Sequence, residues 1–226
     1  YSAEGFVAST KRLIELHASL LPGGDIPELN LGGGFGINYK LADDAPAVAK
    51  TAQAITDAVA AECQRLGIKV PALAFEPGRA IAGNSGITIY NVGTIKDVTL
   101  SDASADGQPE VRKYVSVDGG MSDNIRPALY EAEYHVVLAS RVSSASAALS
   151  RVVGKHCESG DIVVRHDYLP ADVAPNDLLA VAATGAYCHS MASNYNWIAR
   201  PPVVSVRDGK AQLLVRGETE ADLFAR

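Results

Sequence analysis

Cysteine is scarce in this 226-residue chain, and its three residues, an odd number, do not make a disulfide framework. Basic blocks are missing as well. The formal charge is −6 and no run of Lys and Arg overrides it, which argues against nucleic acid as a partner. No stretch approaches the ~18 consecutive apolar residues of a membrane span. The opening Tyr1-Ser2-Ala3-Glu4-Gly5-Phe6 lacks an initiator Met and a basic-then-apolar leader. Residue 1 therefore reads as the interior of a longer protein, and the cytosol as its setting. His17, His135, His156, His166 and His189 have no metal-ligand spacing with cysteines or carboxylates, so no metal is expected. A G-x-S-x-G elbow is also absent. What is present, 47% apolar and 20% charged residues, fits an ordinary soluble protein of one large or two small domains.

Periodicity divides the chain near residue 84. Phe6, Thr10, Leu13, His17 and Leu20 recur at helical spacing and stop at Gly23-Gly24, which predicts an amphipathic helix. A strand, Leu29 to Leu31, follows. A second helix carries Val48, Ala52, Ile55, Val59, Cys63 and Leu66 on one face, with Asp44 as its expected cap and Pro46 in its first turn. Gly67 ends it, and Leu73 to Phe75 reads as a buried parallel strand. Alternating helices and strands imply βα units. Beyond residue 84 come short strand-like runs: Ile87–Ile89, Tyr114–Val117, Tyr134–Ala139, Asp161–Val164 and Leu178–Ala182. Asp208-Gly209, between Val203–Val206 and Leu213–Val215, signals a hairpin. The second part is expected to be mainly antiparallel, with Ser101 to Pro109 a mobile loop.

Two loops carry chemical interest. Glycine clusters after a strand let backbone N–H groups approach an anion without Cβ interference, and Gly32-Gly33-Gly34-Phe35-Gly36 is such a cluster. Glu76-Pro77-Gly78-Arg79 sets a buried-looking carboxylate and a guanidinium at the end of the next strand. Parallel strands bind ligands at their carboxyl ends. The two loops, one βα unit apart, suggest a site for something phosphorylated and aromatic.

Five ordered motifs resemble one family. They are Asn30-Leu31-Gly32-Gly33-Gly34-Phe35-Gly36, Phe75-Glu76-Pro77-Gly78-Arg79-Ala80, Val117 to Pro127 (Val-Asp-Gly-Gly-Met-Ser-Asp-Asn-Ile-Arg-Pro), Gly154 to Asp161 (Gly-Lys-His-Cys-Glu-Ser-Gly-Asp) and Gly185-Ala186-Tyr187. In this order they resemble the pyridoxal-phosphate-dependent decarboxylases of the alanine-racemase-like fold type III, and among them the diaminopimelate decarboxylases. The resemblance implies an α/β plus all-β chain. Residues 1–83 would be the last βα units of a cofactor-binding (β/α)8 TIM barrel, and 84–226 a mainly antiparallel β-barrel-like domain. It also implies that this chain is a C-terminal fragment. The Schiff-base lysine of the family lies upstream, no lysine here matches its context, and a fragment alone would be inactive.

The same resemblance assigns roles. The cofactor pyridoxal 5′-phosphate would be held by Gly34, Glu76, Gly78, Arg79 and Tyr187, with Glu76 favouring a proton on the pyridine nitrogen. The substrate, meso-diaminopimelate, has a second ammonium–carboxylate end that does not react. Arg79, Arg126, Tyr130, Glu158 and Tyr187 would bind substrate, the forked guanidinium groups suiting a carboxylate and Glu158 taking the distal ammonium. Cys157 would return a proton to the carbon that has lost carbon dioxide, because a thiol of ordinary pKa near ~8.5 is protonated at neutral pH. In the family this cysteine and glutamate enter the neighbouring subunit's site, so a homodimer with shared active sites is implied. Ornithine, arginine and carboxynorspermidine decarboxylases share Glu-Pro-Gly-Arg and the glycine loop. Arg126, Tyr130 and Cys157-Glu158-Ser159 favour a two-headed substrate. The alternatives are a non-catalytic regulatory homologue that kept the fold and a plain interaction module, which needs neither Glu76 nor Arg79.

Overall fold

The structure is a computed structural model that describes residues 3–103 and 109–225. The chain divides into two compact units, Tyr1–Ser85 and Gly86–Arg226.

In the first unit the order is α1 (Ala3–Leu20), β1 (Glu28–Gly33), α2 (Val48–Leu66), β2 (Ala72–Glu76) and a short α3 (Gly78–Ala82). Helix α1 buries Thr10, Ile14 and His17, one turn apart, so the inward face is centred on Ile14 and leaves Leu20 exposed. Helix α2 buries Thr51, Ile55, Ala58, Val59, Glu62 and Cys63, and Val48, expected on that face, is exposed. Ile14, Phe35, Ile55, Val59 and Cys63 form the core. Each buried aliphatic side chain of this size contributes on the order of 2 kcal/mol. Gly67, at φ 66°, ends α2 by sending its N–H back to the last turn. The expected start of α2 is corrected. Ala47 is its cap and makes no side-chain cap bond. The carboxylate active in that loop is Asp43, which accepts the N–H of Tyr39 and of Lys40 at 2.8 and 2.9 Å and closes a turn before the helix begins.

Strands β1 and β2 pair in parallel, with Leu29 opposite Leu73 and Gly33 opposite Glu76. Their carboxyl ends therefore lie side by side. A two-stranded sheet shields each strand from one side only, so β2 is not the buried strand expected. Leu73 and Ala74 are half-buried, while Phe75 and Glu76 are exposed.

The second unit holds a six-stranded mixed sheet. Its strands are β3 (Thr88–Ala103), β4 (Pro109–Val117), β5 (Val136–Leu138), β6 (Ala147–Val153), β7 (Ile162–Pro170) and β8 (Leu178–Val181), with α4 (Arg126–Tyr130) before β5. The spatial order is β5-β8-β3-β4-β6-β7. All neighbours are antiparallel except β4 and β6. Asp167 on β7 accepts the Val136 N–H at 2.9 Å and meets His135 Nδ1 at 2.8 Å, so one carboxylate bridges the two outer strands. Val92, Val115, Val152, Val163 and Leu179 are fully buried. The Asp-Gly hairpin forms as β9 (Val203–Arg207) and β10 (Lys210–Val215), with Asp208 and Gly209 both at positive φ. Helix α5 (Glu220–Phe224) follows, opened by a Thr219–Asp222 capping box.

Two expectations change here. Strand β6 was not anticipated, and residues 101–103 and 109 belong to β3 and β4 rather than to a loop. Residues 104–108, the middle of that stretch, lie outside the described residues. No helix among the described residues is long and apolar enough to cross a membrane.

Candidate active site

In the first unit, the parallel register brings the glycine loop and Glu76 together. Gly33 sits so close to β2 that a Cβ there would lie 2.2 Å from the Glu76 carbonyl oxygen, so only glycine permits the approach. Gly32 and Gly34 adopt φ of +78° and +93°, and a Cβ on either would meet nothing within 4 Å. Asn30 couples the loop to the acid. Its Oδ1 accepts the Gly32 N–H at 2.7 Å, and its Nδ2 donates to Glu76 Oε1 at 2.8 Å. Arg79, in the first turn of α3, donates to the Phe35 and Gly34 carbonyls at 3.3 and 3.4 Å. Carboxylate and guanidinium are both attached to the same loop. Behind them an apolar cavity of about 220 Å³ is lined by Phe35, Val48, Ala52, Ile55, Phe75, Pro77 and Ala80.

In the second unit, α4 carries Arg126 in its first turn and Tyr130 in its last. Arg126 is 8% exposed, and Tyr130 is open to solvent. The guanidinium donates to Tyr134 Oη at 2.7 Å and lies 5.3 Å from the Tyr187 ring centroid. Tyr134 in turn meets Cys188 Sγ at 3.7 Å, and burial raises both the Tyr134 phenol and the Cys188 thiol. Tyr187 has φ +71°, a strained backbone for a bulky residue. Its carbonyl accepts the Met191 N–H and the Ser190 hydroxyl at 2.9 and 3.0 Å.

The loop between β6 and β7 presents Cys157, which is exposed. Asp161 organises it. One carboxylate oxygen accepts the Met121 N–H at 2.6 Å, and the other accepts the His156 N–H at 2.7 Å. Two glycines make room for this carboxylate, since a Cβ on Gly154 or Gly120 would fall 2.2 or 2.5 Å from it. On one side of Cys157, the buried His156 imidazole meets Ser122 Oγ at 2.9 Å and Asn196 Nδ2 at 3.3 Å. On the other side, Glu158 Oε1 accepts the Tyr195 hydroxyl at 2.5 Å. Elsewhere in this unit, Tyr90 on β3 donates a hydrogen bond to Asp123, whose other oxygen accepts the Gly120 N–H at 2.8 Å; burial raises both groups.

A family model described as "Pyridoxal-dependent decarboxylase, C-terminal sheet domain" matches residues 6–185. The chain belongs to that family. It is 48% identical, over its whole length, to a diaminopimelate decarboxylase of Corynebacterium efficiens and 49% identical to one of Mycobacterium bovis. It covers 48% and 50% of those proteins, so the chain spans about half the length of the curated relatives it matches. A diaminopimelate decarboxylase structure from M. jannaschii in co-complex with L-lysine has a TM-score of 0.85 at 32% identity, over 99% of this chain and 48% of that one.

Within the first unit, the structure brings Gly34, Glu76 and Arg79 together, with Gly78 opening α3 beside them. Within the second it brings Arg126 and Tyr187 together, places Tyr130 one turn along the same helix, and joins Cys157 to Glu158. Glu76, expected to be buried, is exposed in this chain, where β2 pairs with β1. Sequence reasoning missed Asn30, Ser122, Tyr134, Asp161 and Tyr195, which hold the expected residues in place. Asn30, Ser122 and Asp161 stood inside the quoted motifs; Tyr134 and Tyr195 carried no local signal. No group of three or more His, Cys, Asp or Glu side chains that could hold a metal ion occurs among the described residues.

Proposed function

We propose that the protein carrying this chain is a pyridoxal-phosphate-dependent diaminopimelate decarboxylase that converts meso-diaminopimelate to L-lysine and carbon dioxide. The observation that carries this reading is the near-50% identity, along the whole chain, to proteins of that name. On this reading the first unit is the last βα portion of a (β/α)8 barrel, a view supported by its parallel strands and flanking helices. The second unit is barrel-like, supported by the Asp167 bridge between its outer strands.

The residues fit the cofactor. Gly34, at positive φ with open space around its Cα, is backbone of the kind a phosphate approaches, while the Gly32 N–H is held by Asn30, and Glu76 is an anion fixed by Asn30 for a ring nitrogen. When bound, pyridoxal phosphate supplies the sink for the electron pair left behind by departing carbon dioxide. Gly34, Gly78 and Tyr187 hold the phosphate, and Arg79 braces the glycine loop and faces the substrate carboxylate. The backbone strain at Tyr187 supports a binding role, since such conformations persist where function demands them.

Arg126 and Tyr130 receive the unreactive carboxylate of the substrate, and Glu158 its ammonium. Holding both ends orients the reacting carbon and rejects shorter diamine acids, which would leave these charges unpaired. Cleavage of the carbon–carboxylate bond leaves its electron pair on that carbon. The Cys157 thiol donates a proton to it, and the thiolate then recovers one from water. The protein works as a homodimer in the cytoplasm, with Cys157 and Glu158 of one subunit completing the site of the other.

The test compares steady-state turnover of meso-diaminopimelate, ornithine and arginine by the complete gene product loaded with cofactor. The expected preference for diaminopimelate is on the order of ten-thousandfold in kcat/KM. Equal turnover of ornithine would remove the two-headed specificity from Arg126 and Glu158.

A further inference from the structure

We infer that Tyr195, seated on His156, is a positioning residue for the Glu158 carboxylate and so governs how tightly the site receives a primary ammonium. The inference rests on the reading of Glu158 as the ammonium acceptor. A glutamate on an exposed loop has three rotatable bonds, and ordering it costs conformational entropy each time a ligand binds. Here the cost is met in advance. Glu158 Oε1 accepts the Tyr195 hydroxyl at 2.5 Å, across 37 residues of chain.

The phenol is itself constrained by its ring contact and by its neighbours in the chain. Its ring stacks on the His156 imidazole, with centroids 5.5 Å apart and planes 21° from parallel. His156 is buried and bonded at both ring nitrogens, to Ser122 Oγ and to Asn196 Nδ2. Ser122 also accepts the Ser193 N–H at 2.8 Å through its carbonyl, which ties the start of the Tyr195 segment to the same loop. Beyond the ring, Asn194 Nδ2 donates to Glu218 Oε2 at 2.5 Å, and Arg200 clamps the other Glu218 oxygen. Asn196 and Trp197 are held at φ of 54° and 58°, positions a free segment would leave.

The chemistry suits a cation. A phenol contributes a proton to the bond and no charge, so Glu158 keeps its full negative charge and its Oε2 for an incoming ammonium. An arginine or lysine in the same place would neutralise the carboxylate. The bond also holds the Tyr195 phenol above its ordinary value, because ionising it would set two anions against each other.

The experiment measures L-lysine binding to the complete, cofactor-loaded protein by calorimetry, alongside KM and kcat for diaminopimelate. L-Lysine retains the unreacted ammonium–carboxylate end. Tyr195→Phe keeps the ring and its stacking and deletes only the hydroxyl. It is expected to weaken L-lysine binding and raise KM by roughly fivefold to tenfold, with kcat little changed. His156→Gln, which keeps a hydrogen-bonding group near Ser122 but removes the ring beneath Tyr195, is expected to shift binding in the same direction. Glu158→Gln separates the two layers of the argument. If Glu158→Gln weakens L-lysine binding while Tyr195→Phe and His156→Gln do not, the positioning role is overturned and the ammonium reading stands. If Glu158→Gln leaves binding unchanged, the ammonium reading fails and the positioning role with it. A fall in kcat and melting temperature at unchanged L-lysine affinity would make Tyr195 a structural cover only.

Discussion

Arg126 is a guanidinium at 8% exposure, and a buried charge needs partners to be held there. Tyr134 supplies a hydrogen bond, and the Tyr187 ring supplies a face 5.3 Å away. On the proposed reading, a substrate carboxylate would meet a group already desolvated and oriented, which would strengthen the interaction. Arg126→Ala is therefore expected to raise KM for diaminopimelate roughly tenfold to a hundredfold while leaving cofactor absorbance intact. Loss of cofactor with substrate affinity retained would move Arg126 out of the distal pocket. The motif around Arg126 was legible in sequence, as were Cys157 and Glu158, because their neighbours in the chain are distinctive. The groups that aim them were not. Tyr195 reaches Glu158 across 37 residues and Ser122 reaches His156 across 34, and no local pattern encodes such contacts.

Among the elements, local chemistry was readable, as were the parallel pairing of β1 with β2 and the mainly antiparallel character of the second unit, but not the strand order of that sheet. The β9–β10 hairpin followed from Asp-Gly, since both turn residues must adopt positive φ. Gly67 likewise announced the end of α2. Strand β6 escaped notice because Ala147-Ala148 and Ser150 dilute its alternation, and it owes its form to pairing with β4, in parallel, and β7. The start of α2 was misread because Asp44-Ala45-Pro46 looks like a capped first turn, whereas the preceding Asp43 turn delays the helix to Val48. The tight packing of Gly33 against the β2 backbone offers a test among the elements. In Gly33→Ala the new methyl would press on the Glu76 carbonyl, 2.2 Å away. A loss of about 1–3 kcal/mol in a denaturation titration is expected, together with weaker binding of pyridoxal phosphate as Glu76 shifts. Unchanged cofactor affinity would separate Glu76 from the cofactor.

Considered as a whole molecule, the chain divides its chemistry between two units. The first carries the glycine loop, Glu76 and Arg79; the second carries Arg126, Tyr187 and the Cys157–Glu158 loop. On the proposed reading, the first unit would supply the grip on an anionic aromatic cofactor and the second the grip on one end of a two-headed amino acid, with its Cys157–Glu158 loop serving the neighbouring subunit's site. The chain spans about half the length of the relatives it matches. On the proposed reading, Cys157 would serve the carbon freed of carbon dioxide. The direct measurement is carbon dioxide release from carboxyl-labelled meso-diaminopimelate by the complete gene product and by its Cys157→Ala variant, matched for cofactor absorbance. The account predicts release with equimolar L-lysine from the parent and a loss of roughly a hundredfold or more in the variant. Equal release from both proteins, or none from the parent, would contradict it.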